Sequence, residues 1–187
     1  IGFSMGAVSA IEAQSLDSKL FTAMFLDTPF SSSLDVLRRG MQKVKFGFFG
    51  YQFYLPGSTL LESYAFNPYV QPFLQMLLRL KSSLNTKQIN TFAKLTSPAE
   101  SIKKVTVPCF FVVTKKDEKV SVNEVKQVYE NHPPGYKRLW VANGREHCDA
   151  ILYNPEKYEH EINQFIEDIL KGKGKRISEE IIYDQEA

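Results

Sequence analysis

The sequence has little cysteine, histidine or tryptophan, no marked excess of either charge, and no long apolar run. Its two cysteines, Cys109 and Cys148, are too few for a disulfide framework and suit a reducing, cytoplasmic compartment; a single bridge between them stays open at this stage. With 23 basic and 21 acidic residues the net charge is +2, which argues against a dedicated nucleic-acid binder. No stretch approaches the roughly 20 consecutive apolar residues of a membrane-spanning helix. The three histidines, His132, His147 and His160, share no metal-ligand spacing with the cysteines, and no cofactor is implied. The chain opens on Ile1 and not on an initiator methionine, so an internal or processed segment is expected, and no signal peptide is visible.

What is present suffices for a core. The 187 residues are 43% hydrophobic and suggest one domain. Aromatics are plentiful, with 14 Phe and 9 Tyr, and they cluster. The chain is organised around Ile1-Gly2-Phe3-Ser4-Met5-Gly6, a G-x-S-x-G sequence followed at once by the small-residue face Ala7, Val8, Ala10, Ile11 and Ala13 of a helix expected over Met5 to Leu16. Serine in that context sits on a sharp strand-to-helix turn at positive φ, with its hydroxyl lifted clear of the sheet and the Met5 N–H aimed at the same space. Both flanking glycines are expected to let strand and helix approach.

Strands are expected at Phe21 to Leu26, Val107 to Val113 and Tyr136 to Val141, and helices at Val122 to Tyr129 and Pro155 to Leu170. The last helix should turn Tyr158, Ile162, Phe165, Ile166 and Ile169 inward. Residues 31–104 form a long excursion, with helices near Leu34 to Lys43 and from Pro72 through Leu80. Its Phe46 to Tyr54 aromatic stretch suits packing over a site, then docking onto a partner, then shallow membrane contact. Residues 172–187 read as a charged tail, solvated and mobile, or else an arm laid on a neighbour through Ile177, Ile181, Ile182 and Tyr183. Strands alternating with helices give an α/β class with a mostly parallel sheet. Ser4, Asp27, Asp117 and His147 each follow an expected strand, and ligands bind beyond the carboxyl ends of such strands.

A serine hydroxyl needs a neutral imidazole to take its proton and a carboxylate to orient that imidazole. Ser4, Asp117 and His147 supply these parts in the order Ser…Asp…His. Asp117 has the plainer alternative of a solvated loop carboxylate beside Lys115 and Lys116, and Asp27 is the other candidate acid, with capping of the next turn as its plainer role. His132, in a Pro-rich turn, and His160, on a helix, are expected at the surface. Cys148 reads as a small buried filler and Cys109 as core strand.

These motifs resemble the α/β-hydrolase family. Gly2-Phe3-Ser4-Met5-Gly6-Ala7 is similar to its nucleophile elbow, Leu26-Asp27-Thr28-Pro29-Phe30-Ser31-Ser32 to the segment after its next strand, and Val107-Pro108-Cys109-Phe110 through Asp117-Glu118-Lys119-Val120 to its strand and acid loop. His147 falls where the family's histidine falls. The resemblance covers roughly residues 1–171, begins at the elbow, and puts the 31–104 excursion in the lid position. It implies the C-terminal part of a serine hydrolase of short-lid esterase, thioesterase or serine-peptidase-like type. Ser4 would be nucleophile, His147 base, Asp117 acid, and Met5 N–H an oxyanion donor; the substrate would be an acyl or peptidyl compound. The sequence departs from the family at Thr114, where glycine is common, and at Arg145 and Glu146, where smaller residues precede the histidine; Glu146 is expected to pair with the imidazole or to crowd it. The family's early strands and second oxyanion donor have no counterpart here, so the elbow strand should present an apolar edge that a partner protein could cover. A non-catalytic assembly subunit on the same scaffold is the alternative function.

Overall fold

The computed structural model describes residues 1–33, 35, 36, 39, 45–48, 51–54 and 97–185. Two compact units are present, one made of residues 1–33 and 96–187 and the other of residues 34–95. In the second, β3 (Lys45–Phe48) and β4 (Tyr51–Tyr54) pair antiparallel, with Phe46 opposite Phe53. That antiparallel pairing lies where the sequence showed little strand signal. The helix expected at 34–43 lies largely, and that at 72–80 wholly, outside the described residues.

The first unit is a five-stranded, all-parallel sheet in the order β1-β2-β5-β6-β7. Its strands are β1 (Gly2–Phe3), β2 (Met24–Asp27), β5 (Cys109–Thr114), β6 (Tyr136–Ala142) and β7 (Ser178–Tyr183). Its helices are α1 (Met5–Leu16), α2 (Pro98–Ser101), α3 (Val122–Asn131), α4 (Ala150–Tyr153) and α5 (Pro155–Leu170). Every residue of β2, β5 and β6 is buried, as strands covered by helices on both faces must be. Side chains alternate between the faces. Phe110, Val112, Tyr136 and Trp140 pack with Tyr158 and Phe165 of α5 on one side. Phe111 meets Tyr129 of α3 edge-on at 5.7 Å on the other. α3 packs on α2, and α2 on α1.

The expected bounds of α1 and α5 hold; α1 opens directly at the Ser4 turn without a side-chain cap, whereas α3 and α5 carry capping signals of their own. α3 has a full capping box between Ser121 and Glu124, and Asn154 caps α5 ahead of Pro155. β2 begins three residues later than the apolar run suggests, since the Phe21 N–H donates to Gln14 Oε1 (2.8 Å) and ties the approach to the end of α1. In α5, Ile166 is 47% exposed, whereas Glu161 and Asp168 are buried. Glu161 bonds Arg138 (3.0 Å), and Asp168 accepts from Tyr136 Oη (2.7 Å), so polar partners on the sheet draw these two positions inward.

The mobile tail expected after residue 171 is instead ordered where β7 forms. β6 carries two charges in mid-strand, Lys137 and Arg138, both buried. Their register partners on β7 are Glu179 and Glu180. Lys137 Nζ lies 3.2 Å from Glu179, and Arg138 Nε 2.8 Å from Glu180. A buried charge is tolerated only when paired, and β7 supplies the pairs.

The expectation of a surface His132 is also corrected: it is 2% exposed. Its Nδ1 lies 2.8 Å from Pro133 O and its Nε2 3.0 Å from Val107 O, which turns the ring under the sheet. Burial lowers its pKa, against the pull of both carbonyls. A folded-state pKa below the unfolded one means that the folded form holds fewer protons. Its contribution to stability is therefore full above about pH 6.5 and is lost as pH falls through the folded value. Thermal melts between about pH 5 and 8 should show a steeper acid loss of Tm in the parent than in His132→Gln. Coincident slopes would remove His132 from the acid response. His160 is exposed, as expected.

An apolar groove of about 410 Å³ lies beside β1, between the Leu20–Phe25 segment and α5, with Phe21, Ile162, Ile166 and Ile169 in its walls. Among the described residues no helix is long and apolar enough to cross a membrane.

Candidate active site

Four strand ends converge at the carboxyl edge of the sheet. Ser4 follows β1 with φ 47 and ψ −113, the positive φ that the sequence predicts, and its N–H donates to Asp27 O (2.8 Å). Gly2 makes that turn sterically possible: a Cβ there would lie 2.7 Å from Ala7 Cα. Gly6 differs from expectation, because a Cβ there meets nothing within 4 Å. Only the first glycine is needed for close approach of strand and helix. Thr28 and Cys148 also have positive φ, 52 and 56. Among the described residues these are the non-glycine positions at positive φ, and all three lie at or beyond strand ends on this edge of the sheet.

The sequence-predicted residues divide clearly. Ser4, His147 and Asp117 come together: His147 Nε2 lies 2.7 Å from Ser4 Oγ and Nδ1 2.7 Å from Asp117 Oδ2. The Asp117 side chain has no exposed surface. Its other oxygen accepts the Lys119 and Val120 N–H groups at 2.7 and 2.9 Å, so this is not a solvated loop carboxylate. Donors to both oxygens hold the carboxylate plane, and with it the imidazole. With Nδ1–H donating to Asp117, Nε2 is left as an acceptor for the Ser4 hydroxyl. Met5 opens α1, so its N–H is among those with no acceptor within the helix.

Asp27 is fully buried beneath this array and bonds Tyr158 Oη (2.7 Å) and Thr28 Oγ1 (2.8 Å) rather than the imidazole. Burial raises its pKa, while the two hydroxyl donors pull it down in part. Cys148 is partly exposed, and burial, followed by the Asp27 charge, pushes its thiol up to about 11. It is therefore a thiol near neutral pH and a poor rival to Ser4. Cys109 is buried in β5, and both cysteines are free. Among the described residues no cluster of metal-ligating side chains occurs.

Glu146 neither pairs with the imidazole nor crowds it. Its carbonyl accepts Thr114 Oγ1 (2.8 Å), and its N–H, with that of Arg145, donates to Asp149 Oδ2 at 3.2 and 2.7 Å. Thr114 and Asp149 thus brace the loop that carries His147, a role sequence reasoning missed. The Thr114 methyl also fills the space where Gly144 lacks a side chain, 2.6 Å from a Cβ position. Thr114 and Gly144 thus pack against each other across neighbouring loop starts. An aspartate two residues after His147 was the available signal, since such a side chain readily folds back onto preceding N–H groups.

With this geometry in place, the chain can be set beside known proteins. No protein-family model matches it. Its solved structural neighbours include α/β-hydrolases, and its parallel sheet with flanking helices is of that fold. An esterase of Pyrococcus furiosus aligns at TM-score 0.54 and 25% identity, over 89% of this chain and 51% of that one. A meta-cleavage product hydrolase of Pseudomonas fluorescens aligns at TM-score 0.52 and 17% identity, over 90% of this chain and 64% of that one. Among curated proteins, an uncharacterized protein of Bacillus subtilis, YqkD, is 24% identical over 98 residues, which is 52% of this chain and 30% of that protein. The chain thus spans about half the length of the esterase it aligns with.

Proposed function

We propose that the chain carries the nucleophile, base and acid of a serine hydrolase acting on an ester, thioester or amide. One observation carries this reading: the continuous bond path from Ser4 Oγ through His147 to Asp117, with both links at 2.7 Å. Ser4 Oγ attacks the carbonyl carbon as His147 Nε2 takes its proton. The Met5 N–H donates to the oxyanion, and Asp117 stabilises the imidazolium. His147 then returns the proton to the leaving group, and water repeats the sequence on the acyl-enzyme. The esterase neighbour supports an ester carbonyl as the first substrate class to test. Free thiols at Cys109 and Cys148 fit a reducing compartment such as the cytoplasm.

The test is fluorophosphonate labelling of the complete native protein, with Ser4→Ala as control. Labelling that requires Ser4 is the expected result; none, with the fold intact by circular dichroism, would overturn the proposal. The apolar groove beside β1 favours a second reading, a scaffold whose face another protein covers. A folded chain that never labels and captures a partner through that groove would support it.

A further inference from the structure

The C-terminal segment does more than add a strand. Immediately after β7, Asp184 uses its carboxylate, N–H and carbonyl together. Its Oδ2 accepts the Asn143 N–H (2.8 Å), and its Oδ1 accepts Trp140 Nε1–H (2.9 Å) and Lys157 Nζ. The Asp184 N–H donates to Val141 O (3.1 Å), and Lys115 Nζ donates to Asp184 O (2.6 Å). Asn143 Nδ2 reaches the next residue, Gln185, at its carbonyl (2.9 Å). Burial alone would raise the Asp184 pKa, but the Lys157, Asn143 and Trp140 donors outweigh it and hold the carboxyl below its ordinary range. It is therefore ionised near neutral pH.

Two of these contacts fall at informative places. Asn143 opens the loop that delivers His147, four residues on. Lys115 opens the loop that delivers Asp117, two residues on. One residue at the end of the chain thus grips the base of both loops. Farther out, each is held by its own bonds: Asp117 by Lys119 and Val120, and the histidine loop by Asp149 and Thr114. The Glu179 and Glu180 ion pairs with Lys137 and Arg138 fix the register that brings Asp184 to this point.

We propose that residues 178–185 form a clasp on the active site, and that Asp184 is a positioning residue that sets the spacing of His147 and Asp117 through Asn143 and Lys115. The proposal rests on reading Ser4, His147 and Asp117 as nucleophile, base and acid. Asp184 touches no reacting atom; it acts through the two loops.

The experiment compares the full chain with Asp184→Ala, Asp184→Asn and Lys115→Met. Two readouts are followed: the second-order rate of fluorophosphonate labelling, and the downfield imidazole N–H resonance of the His147–Asp117 bond, assigned by its loss in Asp117→Asn. Asp184→Ala should slow labelling roughly ten- to hundredfold, the scale of an ångström-sized misplacement, and should broaden or erase the resonance. Asp184→Asn, which keeps an acceptor oxygen, should recover part of both. Lys115→Met should give a smaller loss in the same direction. Labelling at the parental rate with an unchanged resonance, in folded Asp184→Ala, would overturn the clasp. If that variant does not fold, Lys115→Met decides: parental behaviour overturns the clasp and slowed labelling supports it. If the parent itself never labels, the hydrolase reading fails, and the resonance alone judges the clasp: loss in Asp184→Ala supports it and retention overturns it.

Discussion

Asp117→Asn is expected to slow Ser4 acylation by about 10⁴-fold, the scale found when a triad carboxylate becomes an amide with geometry kept. The loss follows from proton placement. Asp117 Oδ1 accepts two backbone N–H groups, and Oδ2 accepts His147 Nδ1–H. In the variant, the amide oxygen is claimed by the Lys119 and Val120 N–H groups, so the amide NH₂ faces Nδ1. It can only donate there, which moves the imidazole proton to Nε2. That nitrogen then cannot accept from Ser4 Oγ, although it still lies beside it. Asp27→Asn is the matched control. Asp27 bonds Tyr158 and Thr28 and not the imidazole, so acylation should stay within about threefold of the parent, short of the loss expected at a triad carboxylate. Because burial raises the Asp27 pKa, its ionised form costs stability above the unfolded carboxylate value, and the amide removes that cost. The Tm of Asp27→Asn near neutral pH should therefore hold or rise. Fluorophosphonate labelling rates of both variants check the pair. A large loss in Asp27→Asn with none in Asp117→Asn would reassign the acid.

Phe110→Ala should destabilise the first unit by about 3–5 kcal/mol, the range for removing a large aromatic from a closed core. Phe110 has no exposed surface, and its ring lies 5.0 Å from Phe25 and 5.6 Å from Phe165. It also floors the Arg138 guanidinium, 4.9 Å from the ring centre. Arg138 Nη1 is already buried without a hydrogen-bond partner, so loss of the ring would leave that cation over a void. The sheet cannot collapse into the gap, because β2 and β6 flank β5 in fixed register. Urea unfolding should show a lower midpoint with an unchanged slope, the signature of lost stability without a changed denatured state. A loss below about 1 kcal/mol, the level of a near-isosteric swap, would mean that α5 repacks onto the sheet.

Much of this molecule is legible in short stretches of sequence. The G-x-S-x-G turn and the small-residue face after it predict the positive φ of Ser4 and the bounds of α1. Pro155 and the apolar period after it predict α5, and the apolar runs predict β5 and β6 to within two residues at either end. The order Ser…Asp…His brings the right three residue types to one sheet edge. These signals are local: turn chemistry, caps and periodicity act within one element, so they survive without knowledge of the fold.

Other features depend on partners distant in sequence. Which carboxylate reaches His147 is decided by strand order and by the Lys119 and Val120 N–H groups, since Asp27 ends one buried strand and Asp117 follows another. Burial of His132 depends on the Val107 carbonyl, 25 residues away. The charged end of the chain reads as an unpaired tail because nothing within it shows that Glu179 and Glu180 lie opposite Lys137 and Arg138; its side chains do stay largely exposed, as expected. By itself, then, the sequence determined the α/β class, the positive-φ strand-to-helix turn at Ser4 and the residue types that gather at the sheet edge. Tertiary structure alone decided which acid meets the imidazole, that the tail becomes a strand, and that Asp184 grips both loops, because each turns on charge and hydrogen-bond complementarity between segments that meet only once the sheet has formed.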